Sequence, residues 1–232
     1  MSQGLSSPKN SLLAALPNTE YQRLEPYLTT ISVSSGTVLY EASEEIETVY
    51  FPHKALISLV SILMNGSTTE IGLIGSTGIV GLPAILSNSY SNHRAIVQVA
   101  NSVTRISATV LKREFDRGEE LQRLLLNFAQ IRIDQTAQIA ACNRHHIIEE
   151  RLARWLLMVR DLTQSDELPL TQEFLSNMLG VRRSGVTVSA GILQRAGLIR
   201  YFRGDITILD AERLKQTTCE CYELFRDNFN RT

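Results

Sequence analysis

Arginine and hydroxyl side chains are concentrated between residues 171 and 209. This segment holds five arginines and two acidic residues, a net charge of +3, whereas the chain of 232 residues has a formal net charge of -1. Guanidinium groups bind phosphate as cations and can pair with the edge of guanine through two N–H donors. Hydroxyl groups can hydrogen-bond phosphate oxygens. The local charge therefore makes the segment a candidate for nucleic-acid binding, which the whole-chain charge alone argues against.

The spacing of residues 170–193 is typical of two helices joined by a tight turn. Such a pair needs a small residue where the helices approach, a glycine that tolerates the turn, and apolar residues on both inner faces. Ser176 and Gly180 fill the first two roles, and the apolar positions are Leu175, Leu179, Val181, Val186 and Leu193. The pattern predicts a helix-turn-helix whose second helix covers residues 182–195.

The second helix has an expected outer face. If Val186 and Leu193 face inward, the side that can enter a major groove carries Arg183, Ser184, Thr187 and Val188. Arg183 is the candidate for a bidentate contact to guanine, and Arg182 is expected to contact a phosphate. Thr171 can cap the first helix, where its hydroxyl also lies close to the path of a phosphate backbone.

A β-hairpin is predicted directly after the two helices. Two short strands at residues 199–202 and 205–209 flank Arg203 and Gly204, so the hairpin forms a wing with a basic tip, a second candidate phosphate contact. Helix pairs with a glycine turn are also common in enzymes and interaction domains. The wing and the local excess of arginine favour DNA binding over these alternatives.

Composition excludes several other classes of protein. Apolar residues make up 44% and charged residues 20% of the chain, which differs from disordered, collagen-like and disulfide-rich chains. The longest nearly apolar run, residues 55–64, is far shorter than the ~20 residues of a membrane span. The first twenty residues lack a long apolar core, so no secretory leader is expected and the expected location is the reducing cytoplasm.

No enzymatic or metal site is expected. The sequence has no paired acids, no Ser-His-Asp order and no phosphate-cradling glycine loop. Cys142 stands alone, and Cys219 and Cys221 are two residues apart in a segment predicted to be helical, where such neighbours point to different sides. His145 and His146 are adjacent and cannot share a helical face. The cysteines are therefore expected to be ordinary reduced thiols.

The N-terminal half changes from helix to strand near residue 31. Residues 11–29 have the pattern of two short helices split at Pro17, with Leu24 and Leu28 on one face. Asn65 and Gly66, between two alternating runs, are the strongest hairpin signal in the chain. A small antiparallel β-barrel or β-sandwich is predicted, from seven short β-rich runs at residues 31–33, 37–40, 49–51, 56–63, 69–74, 95–99 and 103–106.

One long helix is predicted from residue 119 to about residue 143, where no Gly or Pro occurs for 25 positions. On one of its faces, residues recur at steps of three and four positions, as in an amphipathic helix. They are Leu121, Leu124, Phe128, Ile131, Gln135, Ile139 and Cys142. A second apolar edge contains Leu125, Ile133, Ala137 and Ala140. A helix with two apolar sides is expected to pack against its own chain and against a twin helix, which predicts a homodimer. The alternative is a helix packed only within its own chain.

Two more helices complete the C-terminal third. The stripe of Leu152, Trp155, Leu156 and Val159 predicts a helix over residues 150–162, followed by a polar loop at residues 163–167. After the wing, the chain is predicted to end in one amphipathic helix that continues through Phe229.

The order of β-barrel, long helix and winged helix-turn-helix resembles the Crp/Fnr family of bacterial transcription regulators over nearly the whole chain. The most specific stretches are residues 150–157 and 168–183. The resemblance implies an α+β fold in three parts: a cyclic-nucleotide-binding-like sensor β-barrel at residues 1–118, a dimerisation helix at residues 119–146, and a winged helix-turn-helix DNA-binding domain at residues 147–232.

The resemblance also assigns positions within these parts. It implies Arg183, Ser184 and Val188 at the base-contacting positions, where the family's usual Arg-Glu pair is replaced by Arg183 and Ser184. The family's usual half-site is therefore not expected. Ser189 is a second departure, because that position is normally apolar.

The sensor part departs further from the family pattern. A cyclic-nucleotide pocket of this family uses Gly-Glu for the ribose hydroxyl and Arg followed by Ser or Thr for the phosphate; the corresponding residues here are Gly81, Leu82, Arg94 and Ala95. Arg94 could contact a phosphate or lie exposed at the surface. Because the carboxylate and the hydroxyl are absent, cyclic AMP is not the expected effector. The iron-sulfur subfamily uses N-terminal cysteines, which this chain lacks, and His53 or His93 alone does not make a haem site.

The implied protein is a homodimeric, sequence-specific DNA-binding regulator without enzymatic activity. It is expected to act on a palindromic site, with RNA polymerase as a partner and with an unidentified small-molecule effector or none. The alternative is a sensor of a cyclic nucleotide or another small ligand whose C-terminal domain docks a protein. Only the first should show salt-dependent affinity for DNA.

Overall fold

The computed structural model describes residues 9–87 and 89–230. Within the described residues, the chain divides into two compact units, one made of residues 9–58 and 73–131 and the other of residues 59–72 and 132–230. The domain boundaries expected at residues 118 and 146 stay a prediction. Residues 1–8, which belong to the segment predicted to hold no secretory leader, lie outside the described part.

Two short helices open the described chain. Helix α1 spans Ser11–Ala14, helix α2 spans Asn18–Leu24, and a 3-10 turn follows at Glu25–Tyr27. Asn10 caps α1, because its side-chain oxygen accepts hydrogen bonds from two backbone N–H groups of the first turn. Pro17 separates the helices, so the predicted pair is confirmed.

Seven strands follow, and all seven predicted strands are confirmed. They are β1 (Thr29–Val33), β2 (Val38–Tyr40), β3 (Thr48–Pro52), β4 (Leu56–Ile62), β5 (Thr68–Ile74), β6 (His93–Val99) and β7 (Asn101–Ser107). They form a three-stranded sheet in the order β1-β7-β3 and a four-stranded sheet in the order β2-β6-β4-β5. Among the described residues the strands thus form two separate sheets that do not close into a barrel, which agrees with the β-sandwich alternative of the prediction.

The turn between β4 and β5 follows the predicted hairpin chemistry. Gly66 has a φ of +79°, a left-handed conformation that favours glycine. The Asn65 side-chain oxygen accepts a hydrogen bond of 3.0 Å from the backbone N–H of Ser67. An Asn-Gly pair supplies both properties, which is why this turn could be predicted from two residues.

Two helices of the first unit were not predicted. They are α3 (Pro83–Leu86) and α4 (Ala108–Phe115). Helix α3 is a single turn, too short to show a period. Helix α4 starts immediately after β7 with no Gly or Pro between them, so the sequence carries no signal for the change.

The long helix is confirmed as α5, Glu120–His145. Its start is fixed within the first unit, because the buried carboxylate of Glu20 accepts hydrogen bonds from the backbone N–H groups of Glu120 (3.1 Å) and Leu121 (2.9 Å). The predicted inner face is buried except for the half-buried Ile139. Leu125 is also buried, so it does not belong to the second edge where it was predicted.

An exposed apolar stripe nevertheless follows the opposite side of α5. It consists of Leu126, Ile133, Ala137 and Ala140, all exposed and separated by seven, four and three residues. This spacing matches the 3.5-residue repeat of a helix seam that packs against another helix. We call these four residues the α5 stripe.

The second unit contains the predicted helices and wing. Helix α6 spans Ile148–Thr163, α7 Gln172–Leu179 and α8 Arg183–Arg195; the wing strands are β9 (Ile199–Phe202) and β10 (Asp205–Ile208). A further strand, β8 (Glu167–Pro169), was not predicted, and its first residue falls in the predicted loop at residues 163–167. It pairs with β10, giving a sheet in the order β8-β10-β9. Its three residues are too few to show alternation.

The C-terminal segment is two helices and not the single helix that the sequence predicted. Helix α9 spans Ala211–Gln216 and helix α10 spans Cys221–Asn230. Residues 217–220 form the turn between them, so Cys219 lies outside any helix. The expectation that Cys219 and Cys221 point to different sides of one helix is therefore wrong.

Candidate nucleic-acid interface

Helix α7 begins at a side-chain cap and ends at a left-handed glycine. Thr171 Oγ1 accepts a hydrogen bond of 3.2 Å from the backbone N–H of Phe174. Gly180 has a φ of +62°, and a Cβ atom there would lie 2.9 Å from Thr69 Oγ1. Both the backbone conformation and the close approach therefore require glycine at the turn.

Helix α8 has one buried and one exposed face. Val186, Ser189, Ala190 and Leu193 are buried, so the inward orientation predicted for Val186 and Leu193 is confirmed. Ser189 is only 1% exposed, although its side chain is polar. The exposed side chains at the N-terminal end are Arg182, Arg183, Ser184, Thr187 and Val188.

Helix α6 and the second helix of the pair hold α7 in place. The buried Trp155 of α6 contacts Phe174 of α7 edge to face, with ring centroids 5.6 Å apart. A guanidinium N–H of buried Arg151 donates a hydrogen bond to the Leu179 carbonyl at the end of α7. Thr187 of α8 donates a hydrogen bond of 3.0 Å to the side-chain oxygen of Gln172. These contacts hold α7 against α6 and α8.

Three arginines of this surface are available to an anion. Within residues 9–87 and 89–226, Arg182, Arg183 and Arg203 form no ion pair with a carboxylate, whereas Arg160 pairs with Asp166 at 2.5 Å. Burial raises the pKa of the Tyr201 phenol, and the positive charge of Arg183 acts in the opposite direction. Arg183 therefore lies close to the first strand of the wing, and its charge is not neutralised by a neighbouring acid.

The tip of the wing presents a cation and an aromatic ring together. Arg203 and Gly204 have φ angles of +50° and +93°, as a tight two-residue hairpin turn requires. The Arg203 guanidinium lies 5.1 Å from the centroid of the Phe202 ring, which is 65% exposed. No role for Phe202 was predicted from the sequence. The side chains of strand β9 alternate between its two faces, and Phe202 lies on the exposed face, opposite Ile199 and Tyr201.

The structure brings most of the predicted DNA-contacting residues to exposed positions of two elements. Arg182, Arg183, Ser184, Thr187 and Val188 share the N-terminal end of α8, and Arg203 lies at the wing tip. Thr171 is exposed at the start of α7, but its hydroxyl oxygen is already used by the cap. The roles of all seven residues stay a prediction.

The four predicted effector residues do not form an open phosphate site. The Arg94 guanidinium pairs with Glu41 at 2.8 Å, and Ala95 is fully buried in β6. Gly81 has a φ of +99°, and a Cβ atom added at this position would lie 3.3 Å from Ile46 Cγ2. Leu82 is half-buried at the N-terminus of α3.

Two other features of the first unit bear on ligand binding. A cavity of about 610 Å³ is lined by residues that include Glu45, Glu47 and Lys112, and by none of the four predicted effector residues. His53 is buried between Ser102 Oγ (2.9 Å from Nδ1) and Thr104 Oγ1 (2.8 Å from Nε2). Burial lowers its pKa, so His53 is a neutral core residue with both ring nitrogens hydrogen-bonded.

Among the described residues, no helix is both long enough and apolar enough to cross a membrane.

Comparison with known proteins identifies the C-terminal part. Residues 150–217 match the Crp-like helix-turn-helix domain family, which covers α6, the helix pair, the wing and α9. No curated protein sequence matches the chain at a significant level.

Several solved structures share the fold over most of the chain. FixK2 from Bradyrhizobium japonicum is 17% identical, with a TM-score of 0.70 over 83% of this chain and 98% of its own. A CRP-family transcriptional regulator from Thermus thermophilus is 18% identical, with a TM-score of 0.69 over 81% and 95%. A CRP/FNR-family regulator from the same organism is 20% identical, with a TM-score of 0.67 over 82% and 97%. The chain thus combines a Crp-like helix-turn-helix domain with the α+β fold of the Crp/Fnr-family transcriptional regulators.

Proposed function

We propose that the chain is a sequence-specific DNA-binding transcriptional regulator that acts as a homodimer on a palindromic site. The observation that carries the proposal is the N-terminal end of α8, where two arginines, without acidic partners among the described side chains, lie beside exposed Ser184, Thr187 and Val188. An α-helix fits the major groove of B-DNA, and a helix-turn-helix contacts base edges from this end of its second helix.

The exposed side chains divide by the contacts that they can make. Arg183 follows the extended Arg182 as the first residue of α8, so its guanidinium can project into the groove and donate two hydrogen bonds to guanine. Val188 is 60% exposed and can contact a thymine methyl group. Arg182 directly precedes α8 and Arg203 lies at the wing tip, and both are suited to contacts with phosphates beside the groove.

Homodimerisation would supply the second half-site. The α5 stripe exposes apolar side chains that water solvates poorly, and Ile133 is 63% exposed. Packing this stripe against its copy buries it and generates a two-fold axis, which a palindromic site mirrors. Bound in this way, the dimer would affect transcription through RNA polymerase.

The proposed regulator does not need cyclic AMP as an effector. The Arg94 guanidinium, which would hold a cyclic phosphate, is paired with Glu41, and position 95 offers no hydroxyl. The cavity beside Glu45, Glu47 and Lys112 is a more open place for an effector, and its mixed charges favour a ligand with polar groups of both signs.

Arg183→Ala is expected to weaken binding to the palindromic duplex by about 1–3 kcal/mol and to relax the preference at one base position in each half-site. The reason is the loss of the paired hydrogen bonds to guanine. Fluorescence anisotropy titrations of wild type and variant, on the preferred duplex and on single-base variants of it, measure both effects.

Two controls accompany this test. Arg113→Ala removes the same charge from an exposed position of α4 and should leave affinity and preference unchanged. Arg183→Lys keeps the positive charge but loses the paired N–H donors of the guanidinium. It should therefore recover the non-specific affinity for DNA without the preference for guanine. Unchanged affinity and unchanged base preference in Arg183→Ala would rule out the role of α8.

Arg182→Ala and Arg203→Ala are expected to weaken binding equally on all sequences. Each removes a phosphate contact, so each should make the slope of log K against log salt shallower by about 1 per half-site. The measurement is a salt titration on the preferred and on a scrambled duplex. A salt slope that neither replacement changes would contradict the phosphate contacts.

A further inference from the structure

Four potential metal ligands converge in the second unit. Cys142 lies in the last turn of α5, and His146 directly follows that helix. Cys219 lies in the turn between α9 and α10, and Cys221 is the first residue of α10. One ligand atom from each residue lies within 4.8 Å of all the others. We call these residues the Cys3His cluster.

Two of the six distances between ligand atoms in the cluster lie near the edges of a zinc tetrahedron. With Zn–S near 2.3 Å and Zn–N near 2.0 Å, a regular tetrahedron has edges of about 3.8 Å between two sulfurs and about 3.5 Å between sulfur and nitrogen. Cys142 Sγ lies 3.7 Å from Cys219 Sγ, and Cys221 Sγ lies 3.6 Å from His146 Nδ1. A disulfide is shorter by far, with sulfurs about 2.05 Å apart.

Surrounding groups orient the ligands as around a bound metal. His146 Nε2 lies 3.2 Å from the Glu220 carboxylate, so Nδ1 is the ring nitrogen that faces Cys221, at 3.6 Å from its Sγ. Metal-bound histidines typically donate their other ring N–H to such a partner. The Gln138 side-chain amide donates a hydrogen bond of 3.0 Å to Cys221 Sγ, which stabilises a thiolate more than a thiol.

Burial and charge also favour a metal. The three cysteines are at most 6% exposed, so few groups other than the cluster can solvate a charged sulfur. Arg151 and Arg154 are 6% and 4% exposed, interact electrostatically with Cys142, and within residues 9–87 and 89–226 pair with no carboxylate. Three thiolates and one imidazole around a divalent ion have a formal charge of about -1, which these buried cations complement.

We propose that the Cys3His cluster binds one zinc ion in a closed, tetrahedral, structural site. Three sulfurs and one nitrogen in a tetrahedron suit Zn²⁺ among the common divalent ions. Four protein ligands leave no position for water, so the site stabilises structure and has no catalytic role. It ties the end of α5 to the turn between α9 and α10, and closing a loop of this length restricts the unfolded chain.

Cobalt provides a direct test on the unaltered protein. The full-length chain is stripped with a chelator under reductant and titrated with Co²⁺, which adopts the geometry of its ligands. We expect about one Co²⁺ per chain, with intense visible bands of tetrahedral cobalt, a thiolate-to-cobalt charge-transfer band in the near ultraviolet, and displacement by Zn²⁺. A weak octahedral spectrum, or no binding, would overturn the proposal.

Matched histidine variants test the assignment of ligands. His146→Ala, purified with reductant, is expected to retain less than about a tenth of the wild-type zinc, since even partners of a ligand contribute 10–100-fold to affinity. His145→Ala alters the adjacent exposed histidine and should keep its zinc. Equal zinc content in the two variants, or a metal-free wild type with a Cys142–Cys219 disulfide, would refute the site. If His146→Ala is misfolded by circular dichroism, the cobalt titration of the wild type decides.

Discussion

Ile133→Glu is expected to convert the homodimer to a monomer and to weaken binding to the palindromic duplex by about 10²–10⁴-fold, the gain that a second linked site provides. Ile133 is 63% exposed at the centre of the α5 stripe, so a carboxylate there is harmless in the free chain. In the dimer, two carboxylates would face each other in an apolar seam without a cation. Analytical ultracentrifugation measures the mass, and anisotropy titrations on full and half sites measure affinity.

Asn127→Glu is the matched control for the dimer. Asn127 is exposed on α5 about a quarter turn away from the α5 stripe, so the same charge at this position should leave the dimer intact. The affinity of Ile133→Glu for a single half-site should be unchanged, because α8 is untouched. A dimeric Ile133→Glu protein with full affinity would contradict the proposed seam.

Trp155→Ala is expected to lower the free energy of unfolding of the second unit by about 3–5 kcal/mol. Trp155 is 2% exposed, its indole N–H donates a hydrogen bond of 2.9 Å to Glu70, and its ring contacts Phe174. The variant removes the ring on which α7 packs, so the helix pair should lose its fixed geometry. Urea unfolding is followed by circular dichroism, because Trp155 is the chain's single tryptophan.

Two comparisons separate cavity and hydrogen-bond effects. Trp155→Phe keeps most of the apolar volume and should recover more than half of the loss. Met64→Ala alters a fully exposed side chain of the same unit and should change stability by less than about 0.5 kcal/mol. A Trp155→Ala midpoint equal to that of Met64→Ala would contradict the packing role.

The elements that could be predicted from the sequence are those in which the conformational preferences of the residues agree with the structure around them. The seven strands come from short β-rich runs bounded by turn residues, and Asn65 with Gly66 favours the conformation that the hairpin uses. The helix pair was predictable because its turn needs the left-handed conformation that Gly180 adopts, with a φ of +62°. The exposed face of α8 followed from the positions of Val186 and Leu193.

The remaining features depend on contacts distant in sequence. Leu125 and Ile133 look alike in the sequence of α5, and only the packing of the first unit buries Leu125. Residues 217–220, which separate α9 from α10, contain no Gly or Pro. The sequence therefore predicts one continuous helix that includes Cys219. The Cys3His cluster joins residues more than seventy positions apart. Cys142 and His146 are four residues apart at the end of α5, a spacing that brings two side chains to the same side of a helix, and this was the available signal.

Selection of binding sites from a random pool of duplex DNA tests sequence-specific recognition by α8 most directly. Wild-type chain and Arg183→Ala are each incubated with the pool at physiological salt, and the bound duplexes are sequenced after several rounds. The wild type should enrich an inverted repeat whose half-sites lie one helical turn apart, with a guanine preference that the variant loses. No enrichment above the starting pool, or the same motif from both proteins, would contradict recognition by α8.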